Sequence, residues 1–414
     1  MKRSCKNIDI TDWQVVHTWV AECLINHKKR YDFRKLICNT LGLTKFDYKQ
    51  RVIRNNEEML LWEAAVIIAK DACQRIKDRD LKLSPVTYTL RIDPSSAKER
   101  LIGNESPMQQ VFDYIAVCSC EDIWRRRIVK QQISGIRNRG ALYGTRMIQD
   151  WIITDNRAAN YANKHHYRYT RKCTYFVKCD VKQCYPSMRV ENFMRLFRRD
   201  CANTDILWLW ETLLTSHKSK EYNYEGFMIG AWCSQWACQY VLSFIYRHVM
   251  DFKVIRKTRK SKAVSHMLLQ MDDLLLIGSN RKHLKLAVDD LVKFADAELG
   301  LTIKDNWQIC KLSETPIDIV GYKIHTDGSI TLRDQIFVRS RRMLLRAKRN
   351  YGDISIKQAK RIASYEGYYK DNGKERISKG KHADCRYINS KYSTKEIFDV
   401  ANNLISEEAK KYAF

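Results

Sequence analysis

Two adjacent aspartates, Asp272 and Asp273, sit between two apolar runs, Met267–Met271 and Leu274–Gly278. Read as strands, those runs form a hairpin whose link, if purely structural, should carry Gly or Asn. Two carboxylates placed there are drawn toward a core, where they repel each other and lose hydration, and such a pair calls for compensating cations. Magnesium suits the purpose, because it prefers carboxylate oxygens and bridges to substrate phosphates. Asp180 ends a third apolar stretch, Thr174–Asp180, and supplies a further ligand by the same logic. Two metals held by such a triad can activate a 3′-hydroxyl and stabilise a leaving pyrophosphate. The competing reading is a polar surface turn, since Asp-Asp turns are common.

The elements that would position these acids can be read in outline. Residues 1–85 are expected to be helical: Trp13, Val16, Trp19 and Val20, then Leu60, Ala64, Ile67 and Ile68, recur at spacings of three and four. Ser84-Pro85 closes that region and a strand-like VTYTLRID follows. From 86 to 335 helices alternate with short strands, and from 336 to 414 the chain is expected to be helical and basic. Arg341, Arg342, Arg346, Lys348 and Arg349 surround Leu344, Leu345 and Ala347 at helical spacing, a half-buried helix whose cations could follow a phosphate backbone. Tyr365, Tyr368 and Tyr369 could stack on bases or pack in a core.

Seventy-four Lys and Arg against 47 Asp and Glu leave a net charge of +27, which draws polyanions. The run Leu60–Ala69 contains Glu63 and is too short to span a bilayer, so no membrane partner is expected. The first residues have no apolar signal-like core, and the 14 cysteines show neither framework spacing nor a CxxC pair. Reduced, mostly buried thiols in a cytoplasmic protein are therefore expected, without a zinc site.

Several segments, taken together and in order, resemble reverse transcriptases. FVKCDVKQCYPSM (176–188) resembles motif A and GFMIGAWCSQWACQYVL (226–242) motif B. LLQMDDLLLIGS (268–279) resembles the Asp-Asp hairpin of motif C, and LGLTIKDNWQI with IDIVGYKI (317–324) resembles motifs D and E. KERLIG (98–103) and QQISGIRNRGALYG (131–144) are similar to finger motifs of the bacterial enzymes, and AKRIASYEGYYKDN is weakly thumb-like. The resemblance implies an α+β right-hand polymerase fold. Fingers and palm would occupy 86–335 and a helical thumb 336–414, preceded by an N-terminal helical extension over 1–85.

The resemblance also implies roles. Asp180, Asp272 and Asp273, helped by the Val181 carbonyl, would bind two Mg2+ ions. Tyr185 would be the steric gate against ribonucleotides, and Lys98 and Arg100 would grip the triphosphate. Gly230, Ser234 and Gln235 would shape the nucleotide and template pocket, and Arg137 and Arg139 of the finger motif would contact nucleic acid. The implied activity is RNA-directed DNA synthesis from deoxynucleoside triphosphates on an RNA template.

Some positions depart from the family pattern. Gln270 stands where an aromatic is usual, Met228 and Ala231 replace Pro and Asn, and Cys238-Gln239 replaces Ala-Asn. Trp307 falls where motif D commonly has a lysine, leaving Lys304, Lys311 or neither as its substitute. Ser234-Gln235, the compact chain and the extra N-terminal helices are most similar to the bacterial "unknown group" enzymes of antiphage defence. That likeness implies a structured noncoding RNA template and leaves open a homo-oligomer or a second protein subunit. Two other outcomes stay open: relaxed or untemplated synthesis, and a vestigial palm serving as an RNA-binding scaffold.

Overall fold

The computed structural model describes residues 3–54, 57–92, 99–256, 259–350, 353–370 and 394–411. The N-terminal region is helical, as its periodicity implies. Trp13–His27 starts where the Asp12 side chain accepts from the Gln14 N–H, and it buries Val16, Val20 and Leu24. That stripe packs against Glu57–Lys77, which buries Leu60, Leu61, Ala64, Ile68 and Ala72. Between them lie Tyr31–Leu41 and Lys45–Ile53, the latter opened by a reciprocal capping box of Thr44 and Asp47.

The centre of the molecule is a four-stranded antiparallel sheet in the order His266–Gln270, Asp273–Gly278, Tyr175–Asp180, Ile309–Lys311. Both faces are covered, which is why its strands read as continuous apolar runs rather than alternating ones. Val177, Cys179, Leu269, Leu274 and Leu276 face one core, with the helices Trp232–Asp251 and Arg281–Phe294. Phe176, Leu268, Leu275 and Ile277 face a second core, shared with Ile148 and Ile152 of the helix Ala141–Lys164.

The second core continues into a three-stranded sheet, Ile317–Ile319, Tyr322–Ile324 and Ile330–Leu332, and into the C-terminal helices Asp334–Arg349, Ile356–Lys370 and Thr394–Lys411. Asp334–Arg349 buries Ser340, Leu344 and Ala347 and turns Arg342, Arg346 and Lys348 outward, with Arg341 half-buried. Tyr365 and Tyr368 pack against this core, with the Tyr368 ring 5.4 Å from that of Tyr322. Both rings thus contribute to packing, and Tyr365 also lines a cavity with Arg342 and Arg346; the Tyr369 side chain lies outside the described residues. A two-stranded hairpin, Thr87–Ile92 with Glu99–Asn104, stands over the central sheet. Among the described residues no helix is long and apolar enough to cross a membrane.

Candidate active site

Register brings the aspartates together. Asp180 pairs with Asp273 across adjacent strands, and Asp273 pairs with Gln270 on its other side. The link between the two hairpin strands is therefore Met271-Asp272, not the Asp-Asp pair, and Asp273 belongs to the second strand. Met271 has φ 52°, a left-handed conformation that costs a non-glycine residue about 1–2 kcal/mol. Nε2 of Gln239 lies 3.3 Å from its sulfur, and the Val181 N–H donates to the Asp272 carbonyl at 2.9 Å. The Cys238-Gln239 departure thus ties the motif B helix to the tight turn of motif C.

Asp272 and Asp180 line one cavity of about 430 Å³, together with Arg100, Tyr185, Ile229 and Lys304. Asp273 opens on the opposite side, into a groove of about 360 Å³ lined by Lys178, Asp180, Asp318 and Arg333. Asp180 is common to both spaces. Burial, then the neighbouring Asp180, raises the Asp272 carboxyl above the ordinary range, against the pull of Arg100 and Lys304. Asp273 is likewise raised, by partial burial in its groove and by Asp272 and Asp180. Crowded acids of this kind favour a bound cation.

The cation that answers them here is a side chain. Val181 bridges to Ile303, and the Lys304 N–H donates to the Asp180 carbonyl at 2.9 Å, so motif D is stitched to the end of motif A. That brings Lys304 Nζ to 2.5 Å from Asp180 Oδ1. The contact satisfies charge but not direction, since that oxygen is buried and has no hydrogen-bond partner. Lys311, by contrast, lies at the far end of the sheet opposite Tyr175 and pairs with Glu314.

Tyr185 is partly buried in the short helix Cys184–Ser187, and its carbonyl accepts the Phe227 N–H at 2.9 Å. Burial first, with the charge of Asp272 among lesser causes, raises its phenol well above the usual range. Gly230, next to the lining residue Ile229, has φ 123°, and a Cβ there would lie 2.4 Å from the Gly103 carbonyl oxygen. The Gly103 N–H donates to the Ile229 carbonyl, so motif B grips the finger hairpin backbone to backbone, and Met228 packs on Gly103. The positive φ and the backbone contact at 230 require glycine, while a side chain at 103 would have to displace Met228.

Other residues singled out from the sequence fall elsewhere. Ser234 is fully buried and does not line the cavity; its Oγ lies 3.3 Å from His217 Nδ1. Gln235 reaches the Gly135 carbonyl at 2.5 Å. Arg139 donates to the Val129 and Gln132 carbonyls, which fixes a loop rather than freeing the side chain for nucleic acid, whereas Arg137 is exposed. Lys98 lies outside the described residues. Arg342 and Arg346, with Arg339 and Arg361, line a separate basic cavity of about 280 Å³ among the C-terminal helices.

A family model described as reverse transcriptase (RNA-dependent DNA polymerase) matches residues 95–324, more than half of the chain. The chain belongs to the reverse transcriptase family. It is an RNA-directed DNA polymerase with the expected α+β right-hand fold, and enzymes of this family use divalent metal ions. The strand Glu99–Asn104 and the whole four-stranded sheet fall within the matched residues. Among curated proteins none matches the sequence. Solved structures similar to it include apo telomerase from Candida tropicalis, truncated from its C-terminal domain, at 13% identity and a TM-score of 0.41, over 80% of this chain and 84% of that one. Another is telomerase from Candida albicans in complex with a TWJ fragment of telomeric RNA, at 11% identity and a TM-score of 0.40, over 88% and 74%.

Proposed function

We propose that Asp180 and Asp272, with Asp273 behind them and the Val181 carbonyl beside them, hold two Mg2+ ions for deoxynucleotide addition. The observation that carries this reading is the cavity shared by Asp180, Asp272, Tyr185, Arg100 and Lys304. The donor set is all oxygen, which suits Mg2+, and Asp180 Oδ1 already holds a cation, the Lys304 ammonium, at 2.5 Å. When bound, the ions would acidify the primer 3′-hydroxyl and neutralise charge on the phosphates.

The chain's own groups divide the remaining work. Arg100 holds the triphosphate from the finger side, where a fixed guanidinium stabilises charge that grows during transfer. Tyr185 closes the space that a ribose 2′-hydroxyl would need. Lys304, rather than Lys311, stands close enough to leave Asp180 and give a proton to the departing pyrophosphate. Arg342, Arg346 and Lys348 follow the duplex backbone from the thumb.

For biological role, the motif B pair Ser234-Gln235 and the N-terminal helices support an antiphage enzyme copying a dedicated structured noncoding RNA. Sequencing the nucleic acid that co-purifies with the enzyme tests this. A single recurrent RNA with its complementary DNA is the expected result, and random or untemplated product would overturn it. Metal-dependent incorporation lost in Asp272→Ala tests the chemistry; undiminished synthesis would refute it.

A further inference from the structure

Beneath the motif B loop lies a second set of ionisable groups that polymerase chemistry does not use. Glu105 follows the finger strand Glu99–Asn104, and His217 caps the helix Thr204–Ser216. Cys233 occupies the first turn of Trp232–Asp251. Their ligand atoms all lie within 4.8 Å of one another, and all three residues are buried. Asp113 joins them from the helix Pro107–Cys118: its Oδ2 accepts the Cys233 N–H at 2.9 Å, while its Oδ1 is buried without a hydrogen-bond partner.

We propose that this cluster is a structural zinc site, with Glu105, His217 and Cys233 as ligands and Asp113 hydrogen-bonded to the backbone beside them. Tetrahedral zinc places N, O and S donors about 3–4 Å apart. Glu105 Oε1 and His217 Nε2 are 3.0 Å apart, within that spacing, and the Cys233 sulfur lies within 4.8 Å of both. The second ring nitrogen, Nδ1, faces Ser234 Oγ at 3.3 Å. That outer contact is of the kind that fixes the tautomer of a ligating histidine and turns Nε2 toward Glu105. Ser234 thereby gains a role that its place in motif B did not suggest.

The alternative is an uncompensated acidic core. Neither Glu105 nor Asp113 forms an ion pair with a lysine or arginine among the described residues. Two carboxyls and a thiol are therefore buried with one imidazole, and buried acids of this sort are costly unless paired or ligating. A thiolate and an imidazole favour zinc over Mg2+, which distinguishes this centre from the one in the palm. The metal would join the finger strand, the end of a palm helix and the start of motif B, holding Gly103 and Gly230 in contact.

The full-length enzyme, expressed with zinc in the medium and purified without added metal, should carry an equimolar amount of zinc by elemental analysis. Asp272→Ala should retain it, and Cys233→Ser should lower it by about tenfold. Cobalt loading of the wild type should give a sulfur-to-cobalt charge-transfer band, and that reading stands alone if the cysteine variant does not fold. Wild-type protein with neither zinc nor the cobalt band would overturn the site. So would zinc unchanged in both Cys233→Ser and His217→Ala.

Discussion

The palm aspartates and the acids beneath motif B face the same physical problem and solve it in opposite ways. Asp180 and Asp272 open onto a cavity that also holds a counter-charge, Lys304, in contact with Asp180. Glu105 and Asp113 are sealed, with burial pushing the first up to about 7 and the second up to about 8. A carboxylate that binds metal during turnover, as proposed for Asp180 and Asp272, would have to exchange partners, which an open environment allows. A structural one must not, so it is closed in.

Breaking the open cluster should have the largest consequence for activity. Asp272→Ala is expected to reduce incorporation at least about a thousandfold, read by primer extension with defined Mg2+, while leaving thermal stability unchanged or raised. A large fall in melting temperature instead would mean that the two clusters do not differ as described. Next, Arg100→Ala should cost about a hundredfold in kcat/KM for deoxynucleotides, with primer-template affinity kept. Lys304→Ala should cut turnover by roughly ten- to a hundredfold where Lys311→Ala does not, since general acids contribute on that scale or above. Equal effects would remove Lys304 from the proton-donating role. Tyr185→Ala should mainly change sugar selectivity, letting ribonucleotides compete in a mixed-substrate assay.

The smallest expected effect is on stability. Asp272 and Asp273 both have carboxyls raised in the folded state. The stability they contribute is fully present below the ordinary aspartate range and is lost as pH rises through their raised values. At neutral pH the metal-free enzyme therefore carries the whole penalty. Mg2+ should raise its melting temperature there, and should do so less in Asp272→Ala; an equal rise in both would place the ion elsewhere.

The palm was legible in the sequence because its signal is local. Acids next to each other in apolar surroundings, and a third at a strand end, expose a conflict that only a site resolves. The same local reading misplaced the turn by one residue, because the pairing of Gln270 with Asp273 is decided across strands. It also left Lys304 and Lys311 undecided, since the choice depends on the long-range bridge of Val181 to Ile303. Ser234 was assigned to the pocket by its motif, although it points into the core toward His217. The Glu105–His217 contact joins residues 112 positions apart, and no cysteine spacing could have announced it.

Lys304 has one further consequence, which concerns sequence in time rather than space. Its ammonium is anchored by its own backbone to the strand end that it neutralises, so acid and counter-charge belong to one junction. Should Asp180 take up a cation as proposed, that cation would displace the ammonium toward the side where the phosphates arrive. Loading the metal and arming the proton donor would then be a single exchange.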